Sequence, residues 1–365
     1  MSIFSPQSLL KRLRQSKVVN RIYYGCHIDY LLFSHGLFGF GRKKLQALDI
    51  WLPREQLSDK LIVQEIIRDM NECYKKYKCN ASEYFLFDFR NKSDDVRSTY
   101  VTDAYINSLL GFIVGRKQHD EQLNDKYGFY CLMKHYFRRK VIMVKGKEDK
   151  EAFERFAFNV KRLIVKPLDG CVGSGIIAFD IKSEEDVHEA FSTIISKGSV
   201  IVEERIVQCA EMAKWNSSST NTIRLSAFLT KQAFSVLSCI LRTGRAGSVV
   251  DNAAAGGISA AIDPKSGTIL SEGMDKSGNW YKTHPDSGVS FKGMQIPRWE
   301  ELLQFAEEIH RKIPNQIYVG WDFALTDDGW VLIEGNWGQL GAQQVALGYG
   351  LKPQFDKLLN QGFAI

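Results

Sequence analysis

The chain lacks the features of a membrane, zinc-stabilised or disulfide-rich protein. No apolar run approaches the ~20 residues that a membrane-spanning helix needs. The seven cysteines are scattered and none belongs to a CxxC pair, which argues against a zinc site and a disulfide framework. Residues 1–10 lack a charged start before an apolar core, so no secretory signal is predicted. These absences predict a cytoplasmic protein with reduced thiols.

The composition is that of a globular protein with an unevenly placed charge. With 365 residues, of which 44% are hydrophobic and 25% charged, the chain can bury a large core and should divide into two or three units. Residues 1–44 contain one acidic residue, Asp29, and are strongly basic. Their basic residues are Lys11, Arg12, Arg14, Lys17, Arg21, Arg42, Lys43 and Lys44.

Aromatic residues such as Tyr30 and Phe40 are interleaved with these charges. One interpretation of this basic leader is a solvated helix followed by packing residues. The other is contact with an anionic membrane surface or a lipid-phosphate carrier. No nucleic-acid-binding motif accompanies the charges, so we predict no nucleic-acid partner.

The most informative segment is residues 320–338, which read GWDFALTDDGWVLIEGNWG. Its alternating pattern predicts two strands joined by a turn at residues 327–329. With that three-residue loop Asp322 pairs directly opposite Glu334, and Asn336 joins them on one face, whereas a two-residue loop would put Asp322 on the wrong face. Two carboxylates and an amide suit Mg²⁺ held together with substrate phosphates. The alternative is a solvated hairpin face with ordinary polar residues.

A second segment, residues 162–179, reads RLIVKPLDGCVGSGIIAF and places a glycine-rich loop between two apolar runs. Gly170, Gly173 and Gly175 would let backbone amides approach a phosphate closely, and Lys166 would reach the same anion. The loop is neither a Walker A motif nor a dinucleotide fingerprint, because no Gly-Lys-Ser/Thr and no helix follow it. The alternative is a hairpin loop with a surface lysine.

Together the two segments resemble the ATP-grasp superfamily of ATP-dependent ligases, with six elements in family order over about residues 118–350. A closer resemblance is to the sugar-transfer-associated ATP-grasp proteins. It is carried by the NTIR stretch at Asn221, by GWD, by EGNWG followed by Gln343-Gln344, and by residues 86–102. That group implies a surface-polysaccharide setting without a defined substrate.

The resemblance implies a role for each of several residues. The nucleotide, ATP, would contact Lys126, Lys166, Gly173, Gly175, Glu203, Glu204, Ile206 and Glu211. The catalytic residues implied are Arg224, Arg242 and Asn252. Asp322, Glu334 and Asn336 would hold the metal, a pair of Mg²⁺ ions with Mn²⁺ as an alternative.

The implied fold class is α+β, with two α+β subdomains clasping ATP behind an α-rich N-terminal region. We place the basic, α-rich region at residues 1–117, the first ATP-grasp subdomain at 118–207, and the second, with the metal site, at 208–365. Local patterns predict helices near residues 57–77 and 299–313, and a strand near residues 84–89. The polar stretch 215–220 is either a mobile lid or a surface loop.

Three functions remain open from the sequence. The first is a carboxylate–amine ligase that forms an amide or peptide bond through an acyl-phosphate in polysaccharide or envelope-precursor biosynthesis. Its partners would be small carboxylates and amines, free or linked to a sugar or lipid carrier. The alternative is a phosphotransferase that acts on a sugar or hydroxyl group. The third is a non-catalytic binding protein, against which the intact metal set argues. We expect a cytoplasmic location, with the basic leader as the candidate for peripheral contact at the inner membrane face.

Overall fold

A computed structural model describes residues 42–115, 120–168, 175–245, 247–248, 251 and 256–362. The basic leader up to residue 41, Gly173 and Asn252 therefore lie outside the described residues. The chain divides into two compact units, one ending at Asp94 and the other beginning at Asp95. No helix in the described part of the chain is both long enough and apolar enough to cross a membrane.

The first unit is helical where it is described. Its elements are α1 (Arg42–Trp51), α2 (Arg54–Ser58), α3 (Lys60–Tyr77), α4 (Ala81–Leu86) and a 3₁₀ turn (Phe89–Asn91). The helix predicted near residues 57–77 is α3. It starts at Lys60 because the Asp59 carboxylate accepts hydrogen bonds from the first free amides, those of Leu61 and Ile62. Its apolar stripe, from Val63 to Cys73, is buried.

The strand predicted near residues 84–89 is wrong, because α4 and the 3₁₀ turn occupy that stretch. Asn80 and Glu83 form a reciprocal capping box that starts a helix here. The Asn80 side chain accepts from the Glu83 amide at 3.0 Å, and the Glu83 carboxylate accepts from the Asn80 amide at 2.8 Å. Tyr84, Phe87 and Phe89 are buried, so the aromatic spacing reflects burial in a helical segment.

The second unit contains both helices and strands. Its α-helices are α5 (Asp94–Arg97), α6 (Asp103–Leu110), α7 (Lys126–Phe137), α8 (Lys150–Val160), α9 (Glu184–Ile195), α10 (Ala210–Ala213), α11 (Trp299–His310), α12 (Gly341–Leu347) and α13 (Lys352–Leu359). Its strands are β1 (Val141–Val144), β2 (Arg162–Pro167), β3 (Ile177–Asp180), β4 (Val200–Glu204), β5 (Thr222–Leu229), β6 (Phe234–Thr243), β7 (Ile258–Ile262), β8 (Gly273–Asp275), β9 (Trp280–Tyr281), β10 (Tyr318–Thr326) and β11 (Gly329–Asn336).

Within the described residues these strands form two antiparallel sheets. The first has four strands in the order β1-β4-β2-β3, and the second has seven in the order β11-β10-β5-β6-β7-β8-β9. The first sheet carries the glycine-rich loop between β2 and β3, and the second carries the carboxylate hairpin, β10–β11. The predicted boundary between subdomains, at residue 207, falls between β4 and β5.

The second compact unit begins earlier in the chain than the predicted first subdomain, at Asp95 rather than at residue 118. Gln344, the second glutamine of the sequence signature, forms buried hydrogen bonds to this earlier segment. Its Oε1 accepts from the amides of Val101 at 2.8 Å and Leu351 at 3.0 Å, and its Nε2 donates to the Val101 carbonyl at 2.9 Å. Gln344 thus joins the segment before α6 to the C-terminal helices.

The helix predicted near residues 299–313 is α11, which ends at His310. His310 is fully buried; its Nε2 donates to the Gln316 carbonyl at 2.6 Å, and its Nδ1 accepts from Trp321 Nε1 at 3.4 Å. Burial lowers the pKa of His310 to about 4, so the ring is neutral near pH 7. It joins α11 to β10 as a structural residue.

Candidate active site

The carboxylate hairpin pairs Asp322 directly with Glu334, as predicted, but reaches that pairing by a different route. Thr326 pairs with Gly329, so the turn has two residues and the predicted three-residue loop is wrong. A register shift next to Asp322 leaves Ile333 without a partner on β10. This β-bulge adds the residue that the turn lacks, and so returns Asp322 and Glu334 to the same face.

Three glycines explain the GWD and EGNWG signatures as packing requirements. A Cβ on Gly320 would lie 2.7 Å from the Gly338 Cα, and one on Gly335 would lie 2.6 Å from the Trp321 ring. Gly320 is also the cross-strand partner of Asn336. The chain leaving β11 therefore crosses the backbone of β10 at van der Waals contact, which fixes Asn336 beside the two carboxylates.

Asp322 lies at the centre of a buried ionic cluster. Arg224 on β5 is its direct cross-strand partner, and Arg224 Nη2 lies 2.7 Å from Asp322 Oδ2, with Nε on the other oxygen. Arg242 Nη1 donates to the same Oδ2 at 3.1 Å. Burial alone would raise the pKa of Asp322, but the two guanidinium groups outweigh it and hold that pKa well below its usual range. Asp322 is therefore a permanent anion near neutral pH.

Glu334 is the accessible member of the pair, because 50% of its side-chain surface is exposed. Arg224 Nη2 approaches its Oε1 only to 3.8 Å. The surrounding protein and then the negative charge of Asp322 raise the pKa of Glu334, while Arg224 opposes the shift. Solvation of the half-exposed Glu334 carboxylate limits this rise in its pKa. Two carboxylates that repel each other here would gain from an added cation.

The donor set of the carboxylate hairpin fits a hard divalent cation. Asp322 and Glu334 supply carboxylate oxygens from adjacent strands, and Asn336 adds an amide oxygen, which is the chemistry that Mg²⁺ prefers. Among the described residues no three His, Cys, Asp or Glu side chains form a metal-binding group. A metal at this hairpin would therefore take its remaining ligands from substrate phosphates or water.

The ionic cluster extends to Asp251, which the sequence analysis did not select. Its carboxylate accepts from the Thr222 hydroxyl, and its Oδ1 lies 3.5 Å from Arg242 Nη2. Burial raises the pKa of Asp251, against the opposing effects of Arg242 and Thr222. Arg242 thus joins Asp251 to Asp322.

On the four-stranded sheet, Lys166 at the end of β2 forms a buried ion pair with Glu203 on β4. Lys166 Nζ lies 2.7 Å from Glu203 Oε1. Arg139 binds the other oxygen of that carboxylate, through Nε at 2.9 Å and Nη2 at 2.7 Å. Burial would raise the pKa of Glu203, but Lys166 and Arg139 outweigh it and lower that pKa to about 2. Sequence reasoning missed Arg139, whose only signal was that a buried glutamate needs cationic partners.

Two of the remaining predicted nucleotide residues, Lys126 and Gly175, lie at the two ends of the glycine-rich loop, whereas Glu204 pairs with Leu163 toward the other end of β2. Lys126, the first residue of α7, donates to the carbonyl of Leu168 at 2.7 Å, just before the loop. Gly175, the last glycine of the loop, has a φ of +80°, which favours glycine. The backbone amide of Glu204 donates to the Lys140 carbonyl at 2.9 Å, so that amide is already used within the sheet.

Ile206 follows β4 and is half-buried, and Glu211 lies exposed in the short helix α10. Hydrogen bonds from its own backbone amide and from Cys209 lower the pKa of Glu211. Its carboxylate is thus turned back to the start of the helix.

Half of the stretch at residues 215–220 is buried, which distinguishes it from a fully exposed surface loop. Trp215 is fully buried, and Asn216 Nδ2 donates to Ser219 Oγ at 3.0 Å. The carbonyl of Asn216 accepts from the buried Asn221 at 2.8 Å. Asn221, the first residue of the NTIR stretch, also donates to the Met212 carbonyl at 2.7 Å. The stretch therefore anchors the start of β5, which carries Arg224.

A four-stranded sheet with a lysine beside a glycine-rich loop, together with a second sheet bearing a paired-carboxylate hairpin, defines the ATP-grasp class. The chain belongs to the sugar-transfer-associated ATP-grasp family, whose sequence profile matches residues 116–360. This membership confirms the predicted ATP-grasp fold, and the described helices and strands confirm the predicted α+β class.

Several solved ATP-grasp structures are similar at low identity. One is the ATP-grasp ligase PsnB with a precursor variant, Mg and ADP, at 14% identity and a TM-score of 0.40, covering 65% of this chain and 58% of that one. Another is D-alanine–D-alanine ligase from Bacillus anthracis, at 13% identity and a TM-score of 0.40, covering 66% and 67%. A third is N5-carboxyaminoimidazole ribonucleotide synthetase, at 9% identity and a TM-score of 0.38, covering 60% and 46%. The chain thus spans less than two thirds of the PsnB structure. A search of curated proteins found no match.

Proposed function

We propose that the chain is an ATP-dependent carboxylate–amine ligase that forms an amide or peptide bond through an acyl-phosphate. The observation that carries this proposal is the opposed pair Asp322 and Glu334 with Arg224 and Arg242 beside it. Buried guanidinium groups next to an accessible carboxylate suit a phosphoryl group that carries several negative charges in transit. The family membership and its surface-polysaccharide setting support a substrate from that pathway or from envelope precursors.

The proposed chemistry has two steps. A substrate carboxylate oxygen attacks the γ-phosphorus of ATP, the bond to the β-phosphate oxygen breaks, and ADP leaves. The nitrogen of an amine then attacks the acyl carbon, inorganic phosphate leaves with the bonding electrons, and the nitrogen loses a proton. Arg224 and Arg242 would hold the transferring phosphoryl and acyl-phosphate oxygens, and Asn252 is a further catalytic candidate from the sequence.

The nucleotide would be held by residues of the four-stranded sheet and its loop. Lys166 has three N–H donors, and Glu203 takes one of them, so the others are available to phosphate oxygens. Lys126, Gly173 and Gly175 would complete the phosphate contacts, with the β4 end and Glu211 at the base and ribose.

We propose that Mg²⁺, as one or a pair of ions, occupies the carboxylate hairpin, with Mn²⁺ as a substitute. When bound, the metal would neutralise charge between the β- and γ-phosphates. Asp322, Glu334 and Asn336 would hold it. Arg224, which is paired with Asp322 here, would then be released in part toward the phosphoryl oxygens.

The deciding experiment is a screen of carboxylate and amine pools for ATP-dependent phosphate release, with products identified by mass spectrometry. Release of ADP and phosphate together with a new amide supports the ligase. ADP with a phosphorylated hydroxyl or sugar product, and no free phosphate, would establish the phosphotransferase instead. Binding of ATP without turnover of any pool would favour the non-catalytic alternative.

Replacing Lys166 by Ala is expected to weaken ATP binding by about 1.5–3 kcal/mol, because a phosphate loses a charged donor. Glu203 keeps Arg139 as its partner in this variant, so the fold should survive. Isothermal titration calorimetry with ATP measures the effect, and the exposed Lys197→Ala is the matched control. Equal ATP affinity in the two variants would leave Lys166 as the ion-pair partner of Glu203 and would remove it from the nucleotide site.

We further propose that the basic leader brings the enzyme to an anionic membrane or to a lipid-phosphate carrier. Each basic side chain near such a surface is worth about 1 kcal/mol, so four engaged residues would give measurable adsorption that fades as salt screens it. Sedimentation with liposomes, with and without anionic lipid, should show binding at low salt. Protein that stays in the supernatant, unchanged by neutralising Lys11, Arg12, Arg14 and Lys17, would rule the contact out.

A further inference from the structure

We infer that Arg139 is a positioning residue that couples the phosphate-binding Lys166 to the metal-binding hairpin. The inference rests on the proposed function, and it assigns a role to a residue outside the nucleotide and metal sites. Arg139 lies between α7 and β1, and its side chain is only 4% exposed. It contacts both sheets, which few single side chains can do.

Toward the four-stranded sheet, Arg139 fixes the orientation of Glu203. Both Nε and Nη2 donate to Glu203 Oε2, so the carboxylate cannot rotate without breaking a two-donor contact. The other oxygen, Oε1, is thereby presented to Lys166 Nζ at 2.7 Å. Arg139 therefore determines, through Glu203, the position of the Lys166 ammonium group that would contact ATP.

Toward the seven-stranded sheet, the third nitrogen of Arg139 reaches the hairpin. Nη1 donates to the carbonyl of Leu332 at 2.6 Å. Leu332 is the last paired residue of β11 before the bulge at Ile333, and Glu334 resumes the pairing with Asp322. The guanidinium thus fastens the hairpin at the point where its register is shifted to bring the carboxylates together.

The conformation of residues 137–139 orients the Arg139 guanidinium for these contacts. Arg138, the residue before, has a left-handed backbone with φ of 49° and ends α7. The Arg139 guanidinium lies over the Phe137 ring at 4.5 Å and also donates to the Phe137 carbonyl at 3.2 Å. A planar group held on an aromatic face, with donors aimed in three directions, suits arginine and not lysine.

A buried arginine could also serve stability alone, and the two roles differ in how their effects combine. If Arg139 acts on ATP through Lys166, its loss should matter little once Lys166 is gone. If it only supports the fold, its loss should add to that of Lys166. A double-mutant cycle on nucleotide affinity separates these cases.

The experiment measures ATP affinity by calorimetry in full-length Arg139→Lys, Arg139→Met, Lys166→Ala and the double variants. Arg139→Met is expected to weaken ATP binding about tenfold, with Arg139→Lys in between, and neither should add more than about twofold in the Lys166→Ala background. The matched control is Arg138→Met, because this exposed neighbour reaches the hairpin at its turn, where it donates to the Asp328 carbonyl at 3.2 Å. It should bind ATP within about twofold of the parent. Arg139→Lys keeps a cation beside Glu203, so it carries the test if Arg139→Met fails to fold.

A second readout addresses the hairpin. The concentration of Mn²⁺ that half-saturates the ATP-bound protein, followed by electron paramagnetic resonance, should rise in Arg139→Lys and not in Arg138→Met. Additive losses of ATP affinity, or an unchanged Mn²⁺ titration, would overturn the coupling while leaving Lys166 as a nucleotide ligand. Unchanged ATP affinity in Lys166→Ala itself would overturn the nucleotide assignment and the coupling together.

Discussion

Replacing Glu334 by Gln is expected to lower ATP-dependent turnover by about a thousandfold or more while leaving the protein folded. The substitution keeps the shape of the side chain and removes the accessible negative charge, on which cation binding between the phosphates depends. Because half of the side chain is exposed and Arg224 is 3.8 Å away, little stability should be lost. Steady-state phosphate release at saturating Mg²⁺, with a thermal melt, measures both quantities.

The matched control is Glu185→Gln, which removes an exposed glutamate on α9 and should not change turnover. Asp322→Asn is a harsher test, because it leaves Arg224 and Arg242 without the anion that holds them. Loss of one partner from a buried ion pair costs about 3–5 kcal/mol, so this variant should be inactive and also melt earlier. Near-normal turnover in Glu334→Gln would remove the metal assignment from the carboxylate hairpin.

The second large effect, on stability and on activity, is expected from replacing Gly320 by Ala. Gly320→Ala would place a methyl group 2.7 Å from the Gly338 Cα. Because the clash is with a backbone atom, it can be relieved only if one of the two chain segments moves. β10 is held between β5 and β11, so the segment after Asn336 must yield. We expect a loss of about 1–3 kcal/mol in the free energy of unfolding, as for other overpacked sites, together with most of the metal-dependent activity.

Gly111→Ala serves as the matched control, because a Cβ there meets nothing within 4 Å and the backbone has an ordinary φ of −60°. Chemical unfolding and Mn²⁺ titration of both variants measure the effect. If Gly320→Ala matched Gly111→Ala in both assays, the close crossing of the two glycines would have no bearing on the site.

The sequence predicted the parts of the site that depend on alternation within one segment. Asp322 and Glu334 were placed opposite each other because side chains two apart on a strand share a face. It could not predict how the register is achieved, because a bulge at Ile333 and an added turn residue give the same alternation. Nor could it place Arg139, since no local pattern records which distant carboxylate will be buried beside an arginine.

In the first unit, two local sequence features indicated different secondary structures for the same stretch. The run at residues 84–89 is rich in aromatic residues, as strands are, but the Asn80 and Glu83 capping box starts a helix there. Such reciprocal capping outweighs the strand preference of a short aromatic run, since the described part of the first unit contains no strand to pair with it. The helices α3 and α11 were predicted well because each shows several turns of apolar spacing.

The bulge at Ile333 shows that one extra residue can be placed either in the strand or in the turn, with the same pairing of Asp322 and Glu334. A chain of this family with one more residue after Asp327 and one fewer before Glu334 would place the same carboxylates opposite each other. Aligned by sequence, the two chains would show an insertion and a deletion a few positions apart and would look misaligned at a metal ligand. The number of residues between Asp322 and Glu334 is therefore the quantity to hold constant when such chains are compared or when the turn is redesigned. The residue types in the turn can vary.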